Sequence, residues 1–307
     1  PEMLDTPKEV DDALSSPKLP GLISEVSQTP RFNLANQGIN TLFDKPEGLA
    51  LKPDGTLVVG FDNDFTKVEG RPNNMLVFVS DRVRTPKARS AEFVLNYPGT
   101  NVPELPIRLD DPNHPETQII AGGLSGLTYD ADRKCFYTIS DVGPQVNDIQ
   151  EDAGFAFGGE KIFSDPNFKL QVTGLRFSPK KGKAKVKETI TLQVPDENGG
   201  FRDATGIAQM FTIDEINSEI SGPDASNAAF TTDGNGGYVP VAPDAFGLDP
   251  ESIQRISIDG LNNGKPVFAI SDEYRPQVAL FDAKSGKLIH RIVPEGSGYS
   301  EYTYASG

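Results

Sequence analysis

The sequence is poor in the side chains that most often carry nucleophilic and zinc chemistry, with one cysteine and two histidines among 307 residues. The single Cys135 excludes an intrachain disulfide and a cysteine-based zinc site, and we expect it to pack as a small apolar residue. His290 falls in an alternating strand, where packing is favoured over catalysis, so a Ser-His-Asp triad is not predicted. The sequence also has no phosphate-binding loop, dinucleotide fingerprint or zinc-protease motif. The chemistry that remains is that of oxygen ligands, chiefly carboxylates.

Positive charge is also scarce, because 29 lysines and arginines stand against 44 aspartates and glutamates, which gives a formal net charge of −15. This charge argues against nucleic acid partners, since their phosphates would be repelled beyond the reach of a local basic patch. It has two interpretations: surface charge that provides solubility, or cation binding, which requires the acids to be clustered. Long hydrophobic runs are missing too. Runs such as Met75–Val79 have only strand length, so no membrane insertion is predicted.

Glycine and proline, by contrast, are abundant, with 30 and 25 residues, and only 36% of the residues are hydrophobic. This composition is typical of many short strands joined by turns. A chain of this length can form one large core. We therefore predict one all-β domain over residues 41–307, preceded by a proline- and serine-rich arm or insertion over residues 1–40.

One supersecondary unit occurs three times: a turn, a strand, a tight turn, a second strand and then acidic residues. The copies open at Pro46-Glu47-Gly48-Leu49, Leu124-Ser125-Gly126-Leu127 and Pro250-Glu251-Ser252-Ile253. They end at Phe61-Asp62-Asn63-Asp64, Ser140-Asp141 and Ser271-Asp272-Glu273, with Asp62, Asp141 and Asp272 taken as matching acids. Asp203–Ala208 resembles the opening of a fourth copy. Repeats of this kind predict a β-propeller of four-stranded blades, with six blades favoured over five or seven.

The acidic residues of these repeats form the candidate site. If the blades are arranged radially, matching positions meet at one axial opening; the candidate metal ligands there are Glu47, Asp62, Asp64, Asp141, Glu251, Asp272 and Glu273. Like charges so close together must be protonated, paired with cations or bound to metal, and an array of hard oxygen ligands favours Ca²⁺. Arg202 and Arg275 are candidate partners for a phosphate or carboxylate. Alternatively, such aspartates only close turns by accepting backbone hydrogen bonds, the role predicted for Asp54 and Asp282.

Three stretches of the chain carry a resemblance to a known family. They are Lys45–Gly55 with Asp62-Asn63-Asp64-Phe65, Gly123–Leu127 with Ser140-Asp141, and Asp249-Pro250-Glu251 with Ile270-Ser271-Asp272-Glu273-Tyr274. Together they resemble the phytase-like propeller family, often described as having esterase-like activity. The resemblance implies a β-propeller, a secreted or periplasmic protein, and phosphoester hydrolysis assisted by Ca²⁺ at the seven acidic residues. The family order would place the Glu47 copy near the C-terminal end, so its position here suggests a permutation, processing into two pieces or assembly from fragments.

The leading functional hypothesis is a Ca²⁺-dependent phosphoester hydrolase that acts on a small-molecule phosphoester or another anionic substrate. In this hypothesis catalysis depends on Asp62 and Asp272, and Arg275 steadies the phosphate. One alternative is a metal-dependent propeller hydrolase of lactones or carboxyl esters. The other is a propeller without catalysis, whose faces bind a protein or a polysaccharide and whose calcium is structural.

Overall fold

A computed structural model describes residues 46–62, 74–80, 87–93, 124–147, 161–163, 165–178, 183–207, 229–232, 238–274, 277–293 and 302–303. These residues form nineteen β-strands and one 3₁₀ turn, Asn262–Gly264, and they contain no α-helix. The all-β part of the predicted fold is therefore confirmed. The predicted arm, residues 1–40, lies outside the described residues, and the division of the chain after residue 40 stays a prediction.

The first repeat forms a four-stranded antiparallel meander in which each strand pairs with the next. Its strands are β1 (Pro46–Leu51), β2 (Thr56–Phe61), β3 (Asn74–Ser80) and β4 (Lys87–Phe93). The turn between β1 and β2 is formed by Pro53-Asp54-Gly55, in which Gly55 takes a φ of 80° and Asp54 accepts a hydrogen bond from Thr56 N–H at 3.1 Å. Asp54 thus has the turn-forming role predicted for it.

The second repeat forms another four-stranded meander, with an excursion after its second strand. In chain order the strands are β5 (Leu124–Asp130), β6 (Cys135–Ser140), β7 (Gln145–Asn147), β8 (Lys161–Phe163), β9 (Gln171–Ser178) and β10 (Lys183–Thr191). The meander has the order β5-β6-β9-β10, while β7 and β8 pair with each other elsewhere. One parallel pair, Lys183 with Glu92, joins the two meanders into an eight-stranded sheet.

Two small sheets follow along the chain. A hairpin is made by β11 (Gln193–Pro195) and β12 (Phe201–Asp203), and β13 (Ala229–Thr232) and β14 (Tyr238–Pro240) join β7 and β8 in a four-stranded sheet. The chain leaves the second meander after Thr191, because the backbone of Leu192 bonds to Leu170 and Ala204 instead of continuing the ladder. The fourth repeat opening predicted over Asp203–Ala208 is wrong for its described part, since residues 204–207 form no strand.

The third repeat forms a five-stranded antiparallel sheet in chain order. Its strands are β15 (Pro250–Ile256), β16 (Val267–Asp272), β17 (Gln277–Asp282), β18 (Leu288–Ile292) and β19 (Tyr302–Thr303). Asp282 closes the turn after β17 by accepting hydrogen bonds from the backbone N–H groups of Lys284 and Ser285, at 3.1 and 2.6 Å. Its predicted turn role is confirmed.

The first strands of the three repeats pack side by side, with β5 between β1 and β15. Their approach is close at two matching glycines. A Cβ atom placed on Gly48 would lie 2.6 Å from Leu127 Cβ, and one placed on Gly126 would lie 2.8 Å from Ile253 N. Such distances leave no space for a larger side chain, so the glycines set the separation of the repeats.

Two apolar cores fill the space between neighbouring repeats. The core between the first and second meanders includes Val58, Leu76, Phe78, Leu127, Phe136 and Leu175. The core between the second meander and the third sheet includes Cys135, Tyr137, Ile139, Val172, Ile253, Phe268, Ile270 and Phe281. Cys135 is buried and unbonded to another cysteine, as predicted. No closed ring or barrel is formed within the described ranges, and they leave the number of blades open.

We expect Gly126→Ala to destabilise the fold by about 1–3 kcal/mol, because the new methyl group would press β5 against the backbone of β15. Gly60→Ala is the matched control, since its Cβ would lie 3.7 Å from Leu127 Cδ2, an ordinary contact distance. Urea unfolding of both variants measures the difference. Equal stabilities would show that the close contact between β5 and β15 does not limit the fold.

Candidate functional site

The same irregularity opens all three repeats. The pairing of the first strand with the second shifts between Pro46 and Gly48, between Leu124 and Gly126, and between Pro250 and Ser252. The extra residues at these bulges are Glu47, Ser125 and Glu251. A bulge re-aims the side chain of its extra residue and is often found beside functional sites. Two of the predicted ligands, Glu47 and Glu251, therefore owe their placement to a matching backbone feature.

The strand pairing also corrects which acids correspond to one another. Phe61, Ser140 and Asp272 are the residues paired with the first residue of β1, β5 and β15. The residues that follow them are Asp62, Asp141 and Glu273, so Glu273 matches the two earlier acids. The spacing of the three repeats in the sequence matches Asp272 with Asp62 and Asp141 instead, because spacing alone does not show where a bulge falls.

Three carboxylates of the third repeat converge. Oxygen atoms of Asp249, Glu251 and Glu273 lie within 4.8 Å of one another; Asp249 is buried, and the two glutamates are exposed. Glu251 and Glu273 are among the predicted ligands, whereas Asp249 is not. Its position directly before the Pro250-Glu251 opening is the signal that could have identified it, but that position is equally typical of an aspartate that only closes a turn.

The backbone fixes two members of this cluster, which we call the acidic cluster. The N–H of Asp249 donates to Asp272 Oδ1 at 2.6 Å, and the N–H of Glu273 donates to the carbonyl oxygen of Asp249 at 2.8 Å. The other carboxylate oxygen of Asp272 accepts from the side-chain amide of Gln277. The loop before β15 and the end of β16 are thereby held together.

The predicted acids of the first two repeats border the acidic cluster. The charges of Asp249 and Asp62 both act on Asp141, and the charge of Glu47 acts on Glu251. Asp62 Oδ1 accepts a hydrogen bond from Leu124 N–H at 2.8 Å, which ties the first repeat to the second. The structure thus brings together six of the predicted residues: Glu47, Asp62, Asp141, Glu251, Asp272 and Glu273. Asp64 and Arg275 lie outside the described residues.

Burial and the proximity of like charges raise the pKa values of three of these carboxyl groups. Desolvation, followed by the charges of Asp249 and Glu273, raises the pKa of Glu251 to about 7. Burial raises the pKa of Asp272 to about 7, although the hydrogen bonds from Gln277 and from Asp249 N–H favour its charged form. Burial and the charge of Asp249 hold the pKa of Asp141 well above its usual range. The cluster therefore resists full ionisation unless a cation compensates its charge.

Arg202, a predicted partner for an anion, has a carboxylate partner elsewhere. Its guanidinium donates two hydrogen bonds to Asp244, one of them at 2.8 Å, and the Thr205 hydroxyl donates to the same carboxylate at 2.7 Å. These three residues, with Phe246, help to line a cavity of about 590 Å³. The two hydrogen bonds commit the guanidinium to Asp244, which lies outside the predicted acidic set.

Comparison with known proteins decides the family. A sequence model of the phytase-like family, described as esterase-like activity of phytase, matches residues 119–302, more than half of the chain. The chain belongs to the phytase-like family. The matched range contains Asp141 and the whole acidic cluster, whereas Glu47 and Asp62 precede it. A search of curated proteins found no match.

The donor set of this phytase-like chain fits a metal ion. Three carboxylates offer oxygens close enough to share one ion, and carboxylate oxygens are the ligands that hard divalent cations prefer. Burial of Asp249 beside two exposed glutamates leaves one side of such an ion facing solvent. The acidic cluster can therefore hold a metal, although carboxylates alone do not specify which one.

Across the described residues, no helix has the length and apolarity needed to cross a membrane.

Removing one charge from the cluster should stabilise the metal-free protein. We expect Glu251→Gln, in chelator at pH 8 and low salt, to raise the free energy of unfolding by about 0.5 kcal/mol, the scale of a solvent-screened charge pair. Asp259→Asn, which removes an exposed charge outside the cluster, should have no comparable effect. Urea unfolding at low and high salt tests this, and a Glu251→Gln variant no more stable than the control would contradict the repulsion described above.

Proposed function

We propose that this phytase-like chain is a Ca²⁺-dependent phosphoester hydrolase built on a β-propeller, with Asp249, Glu251 and Glu273 as the residues that hold the ion. The observation that carries the proposal is the convergence of these three carboxylates within 4.8 Å. Calcium accepts six to eight oxygen ligands in flexible geometry, which suits a cluster formed by two loop ends and a bulge. The family description, with its reference to phytase, supports phosphoester substrates.

The electrostatics of the site support dependence on a cation. Glu47, Asp62 and Asp141 border the cluster, so an anionic phosphate would be repelled from the metal-free protein. When bound, Ca²⁺ would offset the charge on the phosphate oxygens and bring water beside them. In this proposal the protein keeps Asp249 buried and leaves Glu251 and Glu273 exposed to solvent, where a substrate can approach.

The packing of the repeats supports a propeller. Leu127 is 4% exposed because it lies against β1, whereas the matching Leu49 on β1 is 61% exposed. At the opposite end of the row, the third sheet exposes Ile256, Val278 and Ile292. We infer that further blades continue from these two end faces, and six blades remain the favoured number. Secretion or export to the periplasm also remains our inference from the family resemblance.

A second candidate function is a propeller without catalysis, in which calcium is structural and the faces bind a protein or polysaccharide. It is favoured by the structural work that two of the acids perform. Asp62 holds the N–H of Leu124 across two repeats, and Asp272 holds the N–H of Asp249. An ion at this position would strengthen the same connections whether or not a substrate binds.

Calcium-dependent melting, combined with hydrolysis assays, separates these functions. The double variant Glu251→Gln/Glu273→Gln removes both exposed ligands, and Glu197→Gln/Asp259→Asn removes two exposed charges elsewhere as a control. We expect Ca²⁺ at about 100 times its Kd to raise the Tm of chelated wild type by about 4 °C. Hydrolysis of a phosphomonoester or inositol hexakisphosphate should fall about 100-fold in the ligand variant and stay unchanged in the control.

Each other outcome has a distinct meaning. Stabilisation by Ca²⁺ without hydrolysis of either phosphate substrate would favour the binding scaffold. Hydrolysis of a lactone or carboxyl ester alone would favour the esterase alternative. No effect of Ca²⁺ on either melting or hydrolysis would show that the acidic cluster is not a calcium site.

A further inference from the structure

The carboxylate of Asp272 differs from its neighbours because the protein already occupies both of its oxygens. Oδ1 accepts from Asp249 N–H at 2.6 Å, and Oδ2 accepts from the amide of Gln277. The backbone N–H of Tyr274 also hydrogen-bonds to this carboxylate. Asp272 is 9% exposed and Gln277 is 6% exposed, whereas Glu251 and Glu273 are exposed. Little of Asp272 is therefore available to an ion.

These contacts determine where two of the candidate ligands stand. The hydrogen bond from Asp249 N–H to Asp272 runs in one direction, and that from Glu273 N–H to Asp249 C=O runs in the other. Together they form a two-point clamp between the residue before β15 and the end of β16. Because Asp249 and Glu273 sit on the two sides of this clamp, their carboxylates are brought together beside Glu251.

The other repeats support a backbone-holding role at this position. Ser140 is the residue of the second repeat that matches Asp272, and its hydroxyl accepts the N–H of Gln171, the first residue of β9, at 2.9 Å. The first repeat has Phe61 there, whose side chain offers no ligand atom. The position that carries an acid in all three repeats is the next one, occupied by Asp62, Asp141 and Glu273.

We propose that Asp272 is a positioning residue that orients Asp249 and Glu273, and that Gln277 fixes the Asp272 carboxylate for this task. The inference rests on the proposed metal function. It differs from the sequence prediction, which placed Asp272 among both the ligands and the catalytic residues. It also changes the meaning of an alanine substitution at Asp272, whose effect on calcium would come through the displaced Asp249 backbone.

Asparagine at position 272 separates a positioning residue from a ligand. Its amide oxygen can accept the two backbone N–H groups, and its NH₂ group can donate to Gln277 once the amide of Gln277 turns over. Asp272→Asn thus preserves the clamp but removes the negative oxygen that a ligand would supply. Asp272→Ala removes both, and Gln277→Leu removes the support without changing any charge.

Calcium titration of chelated protein by calorimetry provides the test, with melting in chelator as the check on folding. We expect Asp272→Ala and Gln277→Leu to weaken Ca²⁺ binding by about 10–100-fold, as is usual for residues that orient ligands, with the same number of ions bound. Asp272→Asn should bind Ca²⁺ within about 5-fold of wild type. Asp249→Asn, which alters a direct ligand, should lose binding.

The contradicting results are equally specific. If Asp272→Asn loses Ca²⁺ as completely as Asp249→Asn, Asp272 is a ligand and this inference alone fails. If Gln277→Leu lowers the melting temperature in chelator but leaves Ca²⁺ affinity unchanged, its role is in folding only, and the inference again fails. If wild type binds no Ca²⁺, the proposed metal function fails and takes the inference with it.

Discussion

The first strands of three repeats approach one another so closely that Gly48 and Gly126 leave no space for a side chain. This contact fixes the position of each repeat along the strand direction relative to the next repeat, because a shift along the strand would drive a larger residue into the neighbouring backbone. The bulges at Glu47, Ser125 and Glu251 are consequently held side by side. The two apolar cores between the sheets stabilise this arrangement, in which acidic groups lie where the first strands begin.

The same constraint makes the site electrostatically costly. Carboxylates on adjacent strands are held close together by the glycine contacts, and burial together with their mutual repulsion raises the pKa values of Glu251 and Asp141. Part of this repulsion is offset at Asp62 and Asp272, because each of these carboxylates accepts a hydrogen bond from a backbone N–H group. The remaining charge on the exposed glutamates is what a cation would neutralise. The close packing of the first strands thus determines both the arrangement of the repeats and the clustering of the carboxylates on which the proposed function depends.

Local chemistry explains which features could be predicted from the sequence. Pro53-Asp54-Gly55 and Asp282 specify their turns through residues only a few positions apart. The matched acids Glu47 and Glu251 were recognisable because the repeat preserves their turns. The match of Glu273, rather than Asp272, with Asp62 and Asp141 was not recognisable, because it depends on where the bulge interrupts pairing between distant strands. Asp249 was missed for a similar reason, since the long-range hydrogen bond from Glu273 N–H to its carbonyl oxygen places it beside the glutamates.

A crystal structure of the protein with calcium, located by its anomalous scattering, would show whether the acidic cluster binds the ion. We expect one calcium ion bound by carboxylate oxygens of Asp249, Glu251 and Glu273 at about 2.3–2.6 Å, with Asp272 still bonded to the Asp249 backbone. The open side of the ion should face solvent between the two glutamates. Calcium bound only at other residues, or an acidic cluster that stays free of calcium at saturating concentration, would contradict this expectation.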